Sequence, residues 1–189
     1  MKKIILLLFV FVYSFAFVQA QKIEGTITEF EYNYDTEKLS STQEKFSYNK
    51  ISVEKVKDNT VTKIKTEGKM VEYEEVEGLS LMLSSTKVGK YALYSPYYLL
   101  DDPEFTEPSA AAAQFSYFVS TQINVEDEDT KKQCIENKIP LTSFIEITKS
   151  ENNTISGNFT IVLQGMDCSG FMLECLIIFR GSFTDLKID

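Results

Sequence analysis

The segment SFIEITKSENNTISGNFTIVLQGMDCSGFMLECLIIFRGSFTDLKI, residues 143–188, decides the fold. Successive side chains of a β-strand point to opposite faces, so apolar residues at every second position predict a strand with one buried face. The segment shows this period three times, at Ile145 and Ile147, then at Ile155, Phe159, Ile161 and Leu163, then at Phe171, Leu173, Ile177 and Phe179. It therefore predicts three or four consecutive antiparallel strands.

The first connection in this segment also predicts a register. The apolar residues of these two strands lie on the same face of the sheet only if the residue numbers of each pair differ by an even number. A three-residue loop over residues 151–153 satisfies this condition, because Asn tolerates the left-handed conformation that such a loop needs. We therefore expect Ile145 opposite Phe159, and Gly157 opposite Ile147.

The second connection has the same form. A loop over residues 168–170 puts Gly170 at the left-handed position and Phe159 opposite Phe179. Beyond Gly181 the apolar period changes phase, which predicts a bulge or bend near Gly181 or Asp185.

The N-terminus carries the pattern of a secretory signal. Lys2 and Lys3 precede an apolar run over residues 4–18, and Val18-Gln19-Ala20 fits the positions that a signal peptidase reads. A transmembrane anchor is the less favoured alternative, because the run is shorter than the roughly 20 residues that span a bilayer. We expect cleavage after Ala20, a secreted or periplasmic location without stable membrane insertion, and one all-β domain over residues 21–189.

Composition argues against several kinds of partner and site. The chain has 19 Lys and Arg against 28 Asp and Glu, a net charge of −9, and no visible basic face for nucleic acid. It has no His, which removes Ser-His-Asp and Cys-His sites and most zinc sites. The expected partner is a small molecule, a glycan or a protein, with no cofactor and a monomeric chain.

Carboxylates provide the remaining enzyme and metal options. Two facing acids suffice for glycoside hydrolysis, and the candidates are Glu72, Glu74 and Glu75, or Asp101 and Asp102. Residues 126–129, EDED, offer oxygen ligands for calcium but lack the glycine and the spacing of a calcium loop. Acids on a solvated face are the commoner case, so we expect neither a catalytic nor a metal site, and a long charged loop over residues 125–141.

Residues 109–124 are ambiguous between two structures. The alanines at 110–113 favour a helix by propensity. Ala111, Ala113, Phe115, Tyr117 and Val119 form a period-two face that favours a strand. We expect a strand, with any helix confined to a turn at the alanine run.

Tyrosines and cysteines supply the candidate site residues. Many of the chain's 14 Phe and 10 Tyr are expected in core packing. The best candidate for an exposed recognition surface is the group around Pro96, formed by Tyr91, Tyr94, Tyr97 and Tyr98.

In an exported chain, the three cysteines should form one disulfide. Cys168 and Cys175 are too far apart along the hairpin for a bridge. We therefore expect a bridge between Cys134 and Cys168, with Cys175 buried and reduced.

Two stretches carry a resemblance. EITKSENNTISGNFTI with the closing RGSFTDLKI resembles the C-terminal signature of a family of small exported bacterial β-domains of unknown function. LSLMLSSTKVGKYALYSPYY, residues 79–98, resembles the middle segment of the same family. The resemblance implies an exported antiparallel β-domain and no functional residue.

The sequence thus predicts an all-β fold, either an antiparallel β-barrel or a two-sheet β-sandwich of eight to ten strands. The expected function is a non-catalytic binding or surface-interaction module. The alternative is a carboxylate-dependent hydrolase.

Overall fold

A computed structural model describes residues 21–33, 35–36, 38–67, 78–116, 118–120, 128–165 and 176–188. These residues form eleven strands and two helices. In chain order the elements are β1 (Lys22–Asn33), β2 (Lys38–Tyr48), β3 (Ile51–Val56), β4 (Val61–Thr66), β5 (Ser80–Leu83), β6 (Gly89–Tyr94), α1 (Pro96–Asp101), β7 (Ala110–Phe115), β8 (Phe118–Ser120), α2 (Glu128–Glu136), β9 (Phe144–Glu151), β10 (Thr154–Gly165) and β11 (Leu176–Lys187).

The predicted all-β fold is confirmed, and the strands belong to one hydrogen-bonded sheet. Its order is β2-β1-β11-β10-β9-β6-β7-β5-β4-β3, with β8 pairing both β10 and β7. The expected eight to ten antiparallel strands need correction, because the sheet has eleven strands and β6 pairs β7 in parallel. The outermost strands β2 and β3 are separated only by Asn49 and Lys50, so the sheet must curl until its two ends meet at this corner.

The curled sheet encloses the main core. Almost every strand contributes to it, and its largest fully buried side chains include Phe159, Phe179 and Phe183. Phe46 of β2 packs against this core from one end of the sheet and Val53 of β3 from the other. The buried faces of the terminal strands therefore converge on one apolar interior.

Two smaller apolar clusters lie outside this main core. Cys134 of α2 and Ile139 pack against Val162, Leu176 and Ile178 of β10 and β11. Leu99 of α1 packs in the same way against a second cluster, formed with Val61, Met82, Ala110 and Ala112. The second cluster explains why Val61 and Ile64 of β4 are both buried although they break the period of two: Val61 belongs to this cluster and Ile64 to the main core.

The β9 to β10 pairing confirms the predicted register and corrects the predicted loop. Phe159 lies opposite Ile145, and Gly157 opposite Ile147. The loop has two residues, Asn152 and Asn153, with φ of 51° and 57°, as a type I′ turn requires. With a two-residue loop alone, the apolar residues of the two strands would lie on opposite faces. A register shift between Ser156 and Gly157 brings them back to the same face.

The β10 to β11 pairing keeps the predicted faces but differs in register by two residues. Phe159 lies opposite Gly181, not opposite Phe179, which faces Ile161. Residues 168–170, where we placed the loop, lie outside the described residues. The bulge expected near Asp185 is present in β11. Leu186 pairs with Ile155 and Phe183 with Gly157, and Asp185 between them has a φ of 48°.

The alanine run is part of strand β7, as expected, and all four alanines are buried. Within residues 125–141, by contrast, the expectation of a loop was wrong, since Glu128–Glu136 is a helix. Its sequence is polar apart from Cys134 and Ile135, so the period that marks an amphipathic helix is too weak to read. In the described part of the chain, no helix is long and apolar enough to cross a membrane.

Candidate functional site

Helix α1 follows β6 directly and carries Pro96, the centre of the group of four candidate tyrosines. Pro96 is its first residue, a position where proline is favoured because the missing N–H has no helical partner there. The N–H groups of Tyr98 and Leu99 donate to the Ser95 carbonyl at 3.1 and 3.3 Å. The backbone thus turns from β6 into a helix within two residues.

The start of α1 is fixed to the sheet. Ser120, which is 1% exposed, donates its hydroxyl to the Tyr94 carbonyl at 2.5 Å and accepts the Ala113 N–H at 2.9 Å. Pro96 and Leu99 are buried, and Leu99 packs against Val61 and Met82 in the second of the two smaller clusters.

The end of α1 is held by Lys57, which lies in the β3 to β4 turn. Its Nζ donates to the carbonyls of Leu99 and Asp102 at 3.0 and 2.9 Å. The last carbonyls of a helix lack helical partners and carry partial negative charge, so an ammonium group stabilises them. Helix α1 is therefore anchored at both ends.

The four predicted tyrosines divide into two pairs. Tyr91 is 3% exposed and donates its hydroxyl to the Lys87 carbonyl at 2.6 Å. Tyr94 is half-buried, with its ring 5.0 Å from that of Phe105 in an edge-on contact. Both therefore serve packing.

Tyr97 and Tyr98 are the exposed pair, at 57% and 59%. The buried residues Pro96 and Leu99 occupy the opposite side of α1, which leaves both tyrosines on its outer side. Among the residues whose side-chain exposure the structure describes, they are the only exposed tyrosines.

One carboxylate lies beside this pair on the helix, and others follow in the chain. At about 100° per residue, Asp101 lies about 40° from Tyr97 and about 60° from Tyr98 around the helix axis, and so between them. Glu104 and Glu107 follow in the loop after α1, and both are exposed. We refer to Tyr97, Tyr98 and Asp101 as the tyrosine surface.

The other acidic candidates lie apart or outside the described residues. The Asp102 carboxylate accepts the Glu104 N–H at 2.8 Å, which stabilises a turn. Glu72, Glu74, Glu75, Glu126 and Asp127 lie outside the described residues. Glu128 pairs with Lys131 at 3.3 Å, and no described group of acids or cysteines has the arrangement of a metal site.

Cys134 is a free, fully buried thiol in the structure, and burial raises its pKa. The disulfide expected with Cys168 is therefore not seen at Cys134, which α2 holds against β10 and β11. Cys168 and Cys175 lie outside the described residues, so the pairing itself stays a prediction.

A shallow groove of about 590 Å³ lies where β1, β2 and β11 run together. Gly25 and Gly181 lie opposite each other among its lining residues, and a Cβ on Gly25 would lie 2.0 Å from the Arg180 carbonyl oxygen. Phe46 lines the groove but is also engaged in the core, with its ring centroid 5.5 Å from that of Phe179. The Phe46 ring therefore serves core packing.

Sequence reasoning found the two exposed tyrosines but not the helix that carries them. The available signal was Ser95-Pro96, a helix start, followed by Leu99 and Leu100 at the spacing of a buried helical face. Lys57 carried no local signal, because its role depends on a contact 42 residues away.

Comparison of the chain with protein-family models, with curated proteins and with solved structures gives no match.

Proposed function

We propose that this protein is an exported, monomeric, non-catalytic binding module that recognises its partner through the tyrosine surface. The observation that carries the proposal is the exposure of two adjacent tyrosines on an anchored helix. Tyrosine offers a large contact area, with a polar tip, at a low cost in conformational entropy.

Anchoring of α1 supports recognition by this surface. Binding costs free energy when loops and side chains must become ordered, and a helix held in advance avoids much of that cost. Ser120 at one end and Lys57 at the other supply this order before any partner arrives. The helix backbone that carries the rings is therefore held against the sheet.

Export rests on the N-terminal sequence and has its own test. The intact mass of protein recovered from the medium or periplasm should correspond to a chain beginning at Gln21. A recovered product that retains residues 1–20 would contradict export by cleavage after Ala20.

The carboxylate-dependent hydrolase stays the alternative. Of its candidate residues, Asp102 is engaged in a turn and Asp101 stands beside the exposed rings. No described pair of acids favours catalysis over binding.

The proposed function is tested by probing a peptide array and a glycan array with purified protein and with the variant Tyr97→Ser/Tyr98→Ser. Both side chains are more than half exposed, so the variant should fold with an unchanged urea midpoint. Val88→Ser is the matched control, because Val88 is an apolar residue 64% exposed before β6. We expect array signals that the double variant loses and the control keeps. An array on which the two variants retain the same signals as the parent protein would refute the proposal.

A further inference from the structure

We infer that the tyrosine surface takes a cationic protein segment, with an arginine or lysine side chain placed over Tyr97 or Tyr98 and facing Asp101. This inference rests on the proposed function and specifies the chemistry of its partner.

The arrangement of the three side chains supports a cation. A guanidinium or ammonium group is attracted to the face of an aromatic ring within about 6 Å of its centroid. Residues three and four apart on a helix are neighbours, so Asp101 lies beside both rings. A cation over either ring would also meet a carboxylate.

The charged residues of α1 and of the loop that follows it are all acidic. Asp101, Glu104 and Glu107 are exposed, and Asp102 follows the helix directly. Lys57 opposes them, but its Nζ is engaged with the carbonyls at the end of α1. The whole chain carries −9, which favours the approach of a basic segment at a distance.

Arginine fits better than lysine. Its planar guanidinium can stack on a tyrosine ring and still donate two parallel hydrogen bonds to a carboxylate. A neutral segment would lack the attraction of a positive charge to the ring and to the carboxylate, and acidic residues would be repelled.

The test uses the mature protein and fluorescein-labelled octapeptides in which four arginines alternate with four glycines. Matched peptides carry lysine, citrulline or glutamate in place of arginine; citrulline keeps the shape and removes the charge. Fluorescence anisotropy gives the affinities at 50 and 500 mM NaCl.

We expect the arginine peptide to bind most tightly, the citrulline and glutamate peptides to bind at least about tenfold more weakly, and salt to weaken the arginine complex. Tyr97→Ser/Tyr98→Ser should weaken arginine binding about tenfold and Asp101→Asn about threefold. Glu136→Gln, an exposed acid on α2, should leave it unchanged.

The inference fails if arginine and citrulline peptides bind equally, or if Glu136→Gln weakens binding as much as Asp101→Asn. Tyrosine-dependent array signals that do not follow peptide charge would overturn the cationic partner and leave the proposed function intact. Arrays on which no signal depends on Tyr97 and Tyr98 would overturn both.

Discussion

Replacing Phe159 and its neighbour Thr160 by the same residue, aspartate, tests which face of β10 is buried. Phe159 is 2% exposed and lies opposite Gly181, where its ring reaches within 2.9 Å of the position that a Cβ would occupy. Removing a buried phenylalanine side chain costs about 3–5 kcal/mol. A carboxylate without a partner in its place adds a penalty of several kcal/mol. The sum approaches the whole stability of a domain of ordinary size, about 5–15 kcal/mol.

Thr160 points to the other face and lies opposite Arg180. An aspartate there gains an opposite charge across the strands, a contribution of about 0.2–1 kcal/mol that offsets the lower strand propensity of aspartate. Urea unfolding followed by circular dichroism measures both variants. With a slope of about 1–3 kcal/mol per molar urea, Phe159→Asp should lower the midpoint by more than about 2 M or prevent folding, and Thr160→Asp should move it by less than about 0.5 M. Equal midpoints for the two variants would refute the assigned faces.

Three further predictions concern Lys57, Glu54 and Cys134. Lys57→Met should lower stability by about 1–3 kcal/mol and speed amide exchange in residues 97–102, because two charged hydrogen bonds to the end of α1 are lost; exchange there as slow as in the parent protein would contradict the anchoring. The hydrogen bond from Lys65 lowers the pKa of Glu54 in the folded protein. The stability that this bond contributes is therefore fully present above the ordinary pKa of 4.5, and it is lost as the pH falls through the lower pKa of the folded state. Melting curves from pH 7 to pH 3 should therefore show a slightly smaller loss of stability in Glu54→Gln than in the parent protein, and identical pH profiles would count against this bond. Cys134 should resist iodoacetamide at neutral pH until urea unfolds the chain, because it is buried and its pKa is raised; peptide mapping without reduction then separates a free Cys134 from one bridged to Cys168.

The terminal strands were predictable because their information is local. Period-two apolar residues and the parity of the first loop determine that Ile145 faces Phe159, and the structure has this pair. The position of the additional residue was not predictable. A three-residue loop, and a two-residue loop followed by a bulge, both place the apolar residues of β9 and β10 on the same face. The register of β11 differs by two residues for the same reason: both registers bury the same face.

The helices were missed for a different reason. Helix α2 buries Cys134 with little amphipathic pattern, and α1 has six residues inside a stretch that otherwise alternates like a strand. Both are stabilised by tertiary contacts with the outer face of the sheet. Exposure of Tyr97 and Tyr98, against burial of Tyr91, follows from that helix, whose sequence signal is confined to Ser95-Pro96 and the two leucines that follow.

The most direct test of the tyrosine surface is fluorine NMR of protein labelled with 3-fluorotyrosine. Replacing Tyr91, Tyr97 and Tyr98 one at a time by phenylalanine assigns their resonances, and the arginine peptide is then titrated into the parent protein. We predict that the resonances of Tyr97 and Tyr98 shift with a common binding curve, while that of the buried Tyr91 stays in place. A bound peptide that shifts other tyrosines and leaves Tyr97 and Tyr98 unchanged would show that recognition occurs elsewhere on the molecule.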